Sequence, residues 1–267
     1  LSGINSVDFP HAFAVKEEMS NWKFLQLNPE HLREPTRKDI GIKDTMTSGG
    51  KNMAAALYRI KKQDEYSLIE ISRKLNSFLP NITEVKVYDD DVDRQYVIKV
   101  RGEDGKEFSS RVLSEGTLRI LALCILEYDD TFKGLLCFEE PENGIHPFRI
   151  NAMANLINDL SANFKDDDAP LRQVIVNTHS PSLISKATEW RDNSNVSIWL
   201  SRLHSLVTEI DNKKLKLKIT KMSPVIKDKK QQMDLFPITE SERKLTLAEV
   251  VDYLKTADTE GAISRIL

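Results

Sequence analysis

Three short stretches of this chain carry side chains that could do chemistry together. The first is Gly134-Leu135-Leu136-Cys137-Phe138-Glu139-Glu140-Pro141-Glu142-Asn143-Gly144, an apolar run that ends in two adjacent carboxylates, a proline and an Asn-Gly break. Its apolar residues do not alternate with polar ones, which predicts a strand buried on both faces of a parallel sheet. The carboxyl end of such a strand is where α/β proteins hold ligands. Two glutamates there are costly to desolvate unless a cation, a water or a partner group meets them. The second stretch, Leu113-Ser114-Glu115-Gly116-Thr117, opens an amphipathic run over 118–126. Ser114 is a good N-cap, and Gly116 would let a ligand approach the backbone. First-turn N–H groups and the helix dipole favour an anion at such a helix start. The third stretch, Val174-Ile175-Val176-Asn177-Thr178-His179-Ser180-Pro181, predicts another buried strand, this one ending in a histidine. Taken singly, the three read as an acidic turn, a capped helix and a satisfied strand-end histidine.

In their order and spacing the three stretches resemble the signature motif, Walker B motif and switch histidine of ABC-type ATPases. The soluble SMC-like and RecF-like branch is closest, and within it the AAA family ATPases of bacteria and archaea. The resemblance covers residues 22–200. It implies ATP and Mg2+ as cofactors, with Glu140 as the carboxylate that orients the attacking water and His179 as a γ-phosphate contact. It implies that Glu139 positions the metal, where most of the family has an aspartate. One more methylene is tolerable there, since magnesium keeps several of its own waters between itself and the protein. Leu113, Ser114, Glu115, Gly116 and Thr117 become the surface that closes on ATP held by a second subunit, hence a two-fold homodimer. Glu115 replaces the second residue of the Leu-Ser-Gly-Gly-Gln form, and His146 falls in the segment matching the D-loop. Arg111 and Arg119 flank the motif, and pairing with acids is the expected role of each.

The resemblance implies an ATP-driven switch serving a process such as DNA repair or phage defence, with DNA or an effector protein as partner. A non-hydrolysing scaffold for a nucleic-acid or protein partner is the alternative. A nuclease of the OLD type ranks last, because the sequence after Leu200 lacks clustered acidic motifs. A G-x-x-x-x-G-K-[ST] loop should lie upstream. Ser48-Gly49-Gly50-Lys51-Asn52 does not supply it, since Thr45 stands at the first glycine position and Asn52 at the Ser/Thr position. With Leu1 as first residue, the expectation is the C-terminal part of a longer ATPase, a chain that binds ATP poorly by itself.

The elements that must position these residues define an α/β fold: a largely parallel sheet flanked by helices, with an antiparallel hairpin and a small helical segment. The pattern predicts a strand within 22–27, loop up to Thr47, and helices over 52–63 and 65–79. Alternation at 85–87 and 96–100 predicts a hairpin around an acidic loop. Asp89, Asp91 and Asp93 have the first spacings of an EF-hand, but Arg94 and Val100 occupy its sixth and twelfth positions, so the loop reads as a solvated turn. Asp166-Asp167-Asp168 reads likewise. After Ser114 the expected order is helix, strand, helix (148–164), strand (173–178), helix (181–187) and strand (196–200), then a strand pair within 205–220. The expected domains are a lead-in over 1–50, an ATPase core over 51–220, and a linker with a C-terminal helix over 221–267.

Composition sets the outer limits. The 267 residues are 40% apolar and 30% charged, enough to bury a sizeable core. No apolar run approaches the ~18 residues of a membrane span, and no signal-peptide pattern opens the chain, so a cytoplasmic protein with no membrane partner is expected. A net charge of −3 excludes a globally basic nucleic-acid binder but leaves a local basic face open. Cys124 and Cys137 read as reduced core residues.

Overall fold

The computed structural model describes residues 8–39, 41, 43–162, 171–190, 196–210, 213–226, 238–256 and 263. The chain divides into two compact units, Leu1–Thr178 and His179–Leu267. The acidic run Asp166-Asp167-Asp168 lies outside the described residues.

The first unit is built on two sheets. Strands β1 (Lys23–Leu25), β6 (Gly134–Glu139) and β7 (Arg172–Asn177) form a wholly parallel sheet in the order β1-β6-β7, aligned through Phe24, Cys137 and Ile175. Leu25, Leu136 and Phe138 are fully buried on one face. The opposite face is covered at Leu135 but partly open elsewhere, with Cys137 half-buried and Phe24 62% and Ile175 50% exposed, so burial on both faces is only partly met. The central position expected for the 134–139 strand is found. The 173–178 strand differs from expectation: β7 is an edge strand whose residues, after buried Arg172, alternate between exposed and half-buried. An unbroken Val-Ile-Val run cannot by itself say whether both faces are covered.

The second sheet is antiparallel, with β2 (Thr36–Arg37), β4 (Gln95–Gly102) and β3 (Ile82–Asp90) in that order, and β5 (Glu107–Ser109) pairing with β4. The predicted hairpin is β3–β4. Its turn is held by Asp90, whose Oδ1 accepts from the N–H groups of Val92 and Asp93 at 3.1 and 3.2 Å. Lys38 pairs with both Asp89 and Asp91.

Helices α3 (Met53–Gln63) and α4 (Glu65–Phe78) fall where the spacing predicts, and both pack against β3. The segments assigned to lead-in and loop hold further structure: α1 (Pro10–Ser20), which buries no residue, and the short α2 (Pro29–Arg33). Helix α5 (Glu115–Glu127) is the centre of the unit, packed against α2, α3, α4 and α6 (Ile150–Asp159). Ten of its thirteen residues are buried, the signature of a helix apolar all round. Cys124 is among them, and burial pushes its thiol pKa up, so it stays a protonated core residue.

The second unit contains α7 (Pro181–Thr188), an antiparallel hairpin of β8 (Trp199–Ile210) and β9 (Lys213–Pro224), and α8 (Glu240–Lys255). Val225, Leu247, Val250, Val251 and Leu254 form its core, with Ile184, Ile198 and Leu200 packed against them. The amphipathic tail helix is thus present. Two expectations are corrected. The 196–200 segment does not extend the parallel sheet; from Trp199 it runs antiparallel to β9, because pairing with the next strand in sequence closes a far shorter loop. Residues 221–224, assigned to a linker, complete β9, and Val225 and Ile226 after them are buried. No helix among the described residues is long and apolar enough to cross a membrane.

Candidate nucleotide site

The carboxylate tip is built at the carboxyl end of β6. Glu139 pairs in register with Asn177 of β7, and the Glu140 N–H donates to the Asn177 carbonyl at 2.8 Å. The two strand tips are therefore bonded neighbours. Glu139 is exposed and Glu140 half-buried. Glu140 ends the strand with φ of +45°, a left-handed conformation that costs a non-glycine residue about 1–2 kcal/mol. Such outliers persist where the surrounding structure over-determines them. Here the Asn143 N–H donates to the Glu140 carbonyl at 3.1 Å, and the Asn143 amide donates to Glu140 Oε2 at 2.5 Å. Beside it, Thr178 Oγ1 donates to Glu142 Oε1 at 2.5 Å, tying the end of β7 to the same turn.

The helix start lies against that turn. Ser114 is exposed and caps α5, its Oγ accepting from the Thr117 N–H at 3.3 Å and bonding Thr117 Oγ1 at 2.9 Å. Leu113 is half-buried and Thr117 is 8% exposed. Glu115 is not turned outward; its Oε1 accepts from Arg119 Nε and Nη2 at 3.0 and 2.8 Å, and its side chain lies against Gly144. Arg119 therefore plays its expected pairing role. Gly116 is buried, and a Cβ there would meet the Gly144 carbonyl oxygen at 2.7 Å. The close approach this glycine permits is to the chain's own 140–145 turn, a second reason for glycine beyond ligand access.

One positioning residue escaped the sequence reading. Arg33 of α2 donates to the Leu113 carbonyl at 3.1 Å, while Ser110 Oγ donates to the Arg33 carbonyl at 3.0 Å. The loop before Ser114 is thus clamped to α2. The legible signal was Asn28-Pro29, an N-cap followed by proline at the first helical position, and Asn28 does cap α2. His146 is exposed and stacks on Phe148 at 5.2 Å.

In the first unit the 113–117 stretch lies against Gly144, in the turn that follows Glu139 and Glu140. His179, next in the chain after Thr178, is exposed and opens the second unit, where its carbonyl accepts from the Tyr253 hydroxyl. The Ser48–Asn52 turn, with Gly50 N–H donating to the Thr47 carbonyl at 2.9 Å, leads into α3, which begins at Met53.

The chain belongs to the AAA domain family described as "AAA domain, putative AbiEii toxin, Type IV TA system", which matches residues 11–185. That places it among nucleotide-binding ATPase domains. No curated protein matches the sequence. Among solved structures it is similar to the Smc head domain with a coiled coil and joint from Pyrococcus yayanosii, at 13% identity over 58% of this chain and 27% of that one, TM-score 0.35. A structure reported under "Structural biochemistry of ATP-driven dimerization and DNA stimulated activation of SMC ATPases" shares 13% identity over 61% of this chain and 88% of that one, TM-score 0.37. The Smc head domain with an extended coiled coil bound to the C-terminal domain of ScpA, from Pyrococcus furiosus, shares 9% over 63% and 39%, TM-score 0.35. The chain spans well under two thirds of either Pyrococcus chain.

The Gly116 contact yields a sharp expectation. Alanine in place of a helical glycine normally gains up to about 1 kcal/mol. At position 116 the new Cβ would press on a backbone oxygen that cannot swing aside, and overpacking of that kind costs about 1–3 kcal/mol. Gly116→Ala is therefore expected to lower the melting temperature, and a gain in stability would show that the 140–145 turn moves freely.

Proposed function

We propose that this chain is the signature-and-Walker-B part of an ATP-dependent switch, in which two copies close on ATP and separate after hydrolysis. The observation that carries the reading is the placement of adjacent Glu139 and Glu140 at the bonded tips of β6 and β7, with the Ser114-capped start of α5 packed against the same turn. Glu140 would accept a hydrogen bond from the attacking water, and the turn that grips its backbone would fix the carboxylate's direction. Exposed Ser114 and the first N–H groups of α5 would face the terminal phosphate held by the other copy, with Leu113, Glu115, Gly116 and Thr117 shaping that surface. The resemblance would make His179 a γ-phosphate contact.

Glu139 suits a magnesium ion of the kind used in phosphoryl transfer, which needs only one or two protein carboxylates because phosphates and waters fill its other positions. When bound, magnesium would supply charge neutralisation on the β- and γ-phosphates. DNA or an effector protein would be the target of the switch.

The test is ATP-dependent assembly of the intact protein. Glu140→Gln keeps the side chain's shape but cannot act as a base, so light scattering should show a dimer that persists with ATP and magnesium. A mass that stays the same with and without ATP would favour the inert scaffold, for which Glu139 in the place of an aspartate speaks.

A further inference from the structure

The proposed nucleotide site makes no use of the β8–β9 hairpin, whose charge departs from that of the rest of the chain. Six basic and two acidic residues lie between Trp199 and Pro224, in a chain of net charge −3. Lys214, Lys216 and Lys218 stand opposite Glu209, Val207 and Ser205 in the ladder. Side chains on one face of a strand recur every second residue, so the three lysines form a row. All three are exposed. At the base of the hairpin Arg202 pairs with Glu249 at 3.0 Å, and Lys221 pairs with Glu242. Among the described residues, no ion pair engages Lys216 or Lys218. Like charges about 7 Å apart on one strand repel each other and add nothing to the ribbon's stability. A polyanion laid along the row would turn that cost into attraction.

The composition of the hairpin narrows the polyanion. Trp199, at the base of the hairpin opposite Pro224, is the one Phe, Tyr or Trp in residues 199–224, so unpaired bases would find a single ring, well removed from the lysine row opposite Ser205, Val207 and Glu209. The lysine face is completed by Ser201, Leu203, Thr220 and Met222, with no Arg, Asn or Gln to read base edges. An anionic membrane is the weaker fit, because Leu206, Leu215, Leu217 and Ile219 lie on the face away from the lysines and only Leu203, Val207 and Met222 share theirs. We propose that the Lys214, Lys216 and Lys218 row docks on the phosphate backbone of duplex DNA without regard to sequence. The row spans about 14 Å, the reach of about four phosphates along one strand at ~3.4 Å each. The inference rests on the hairpin alone and stands or falls apart from the ATPase reading.

The experiment measures fluorescence anisotropy of two unrelated 20-base-pair duplexes with the 267-residue chain, without nucleotide, across a salt series. Both duplexes should bind equally. The K214Q/K216Q/K218Q variant should bind at least about tenfold more weakly at 50 mM salt, and its salt slope should fall by about 2.7, at ~0.9 per lost phosphate contact. The single variant K216Q should lower the slope by about 0.9, which keeps the test informative should the triple variant misfold. The control K106Q/K133Q should leave binding unchanged. Absence of binding by the parent chain, an unchanged slope in both lysine variants, or an equal loss in the control would each overturn the proposal. So would single-stranded DNA binding as tightly as duplex, or phosphatidylserine vesicles capturing the chain more tightly than either.

Discussion

Arg172→Ala is expected to destabilise the first unit by about 3–5 kcal/mol, since three buried or part-buried main-chain carbonyls lose a charged donor at about 1–3 kcal/mol apiece. Arg172 is 7% exposed and donates to three main-chain carbonyls, from Nε to Phe132 at 2.9 Å, from Nη1 to Glu127 at 2.9 Å and from Nη2 to Asp129 at 2.8 Å. Those carbonyls lie where α5 ends and the chain turns towards β6, a place that leaves acceptors without helical partners. The guanidinium also sits 5.1 Å from the Phe132 ring centroid. Burial presses the Arg172 pKa down, while the charges of Asp129, Asp130 and Glu127 raise it again. Asp129 is fully buried and meets Arg59 Nη2 at 2.7 Å, so losing Arg172 leaves that carboxylate with less positive charge around it. For a unit of this size the loss corresponds to a fall in melting temperature of roughly 10 °C. Arg172→Lys should fall between, because an ammonium cannot span three divergent carbonyls. Circular dichroism melts of the three proteins check this, and a shift of only a degree or two for alanine would mean that water replaces the guanidinium.

At Glu140 function and stability are expected to part. Glycine is at ease at φ of +45°, so Glu140→Gly relieves about 1–2 kcal/mol of backbone strain. Against this stand the extra freedom of glycine in the unfolded chain and the lost bond from Asn143, each about 0.5–1.5 kcal/mol. The net change should centre near zero, between about 1 kcal/mol gained and about 2 kcal/mol lost. The same substitution removes the proposed water-orienting carboxylate, a group whose loss costs about 10²–10⁴-fold in kcat. ATP turnover by the intact protein, measured beside its melting curve, should therefore collapse while the melt barely moves. Turnover that survives would shift the catalytic role to another residue. A large drop in the melting temperature would mark Glu140 as a structural pin of the turn.

The predicted and observed elements agree where a local pattern is tied to a single physical cause. Leu68, Ile71, Leu75 and Leu79 imply a helix by spacing, and α4 follows, with Ile71, Leu75 and Leu79 buried. Ser114 caps α5 because a serine side chain can satisfy an orphan N–H whatever surrounds it. The apolar run before Glu139 did become the middle strand of the parallel sheet, although the equally unbroken run Val174-Ile175-Val176 lies at its edge. The 28–47 segment offered no periodicity, so α2 and β2, and with them the Arg33 clamp on Leu113, stayed hidden.

What the residues determine by themselves, then, is local: where helices start, which runs are apolar, and which carboxylates stand at the end of a strand. Those follow from backbone geometry and side-chain chemistry within a few positions. Tertiary structure alone decided that β7 is an edge strand, that Gly116 faces Gly144, that Arg172 closes the end of α5, and that the strand from Trp199 turns back on β9. Each of these joins residues distant in sequence or depends on what covers a surface. Such contacts are set by packing and by the need to satisfy buried polar groups, conditions that no window of neighbouring residues contains.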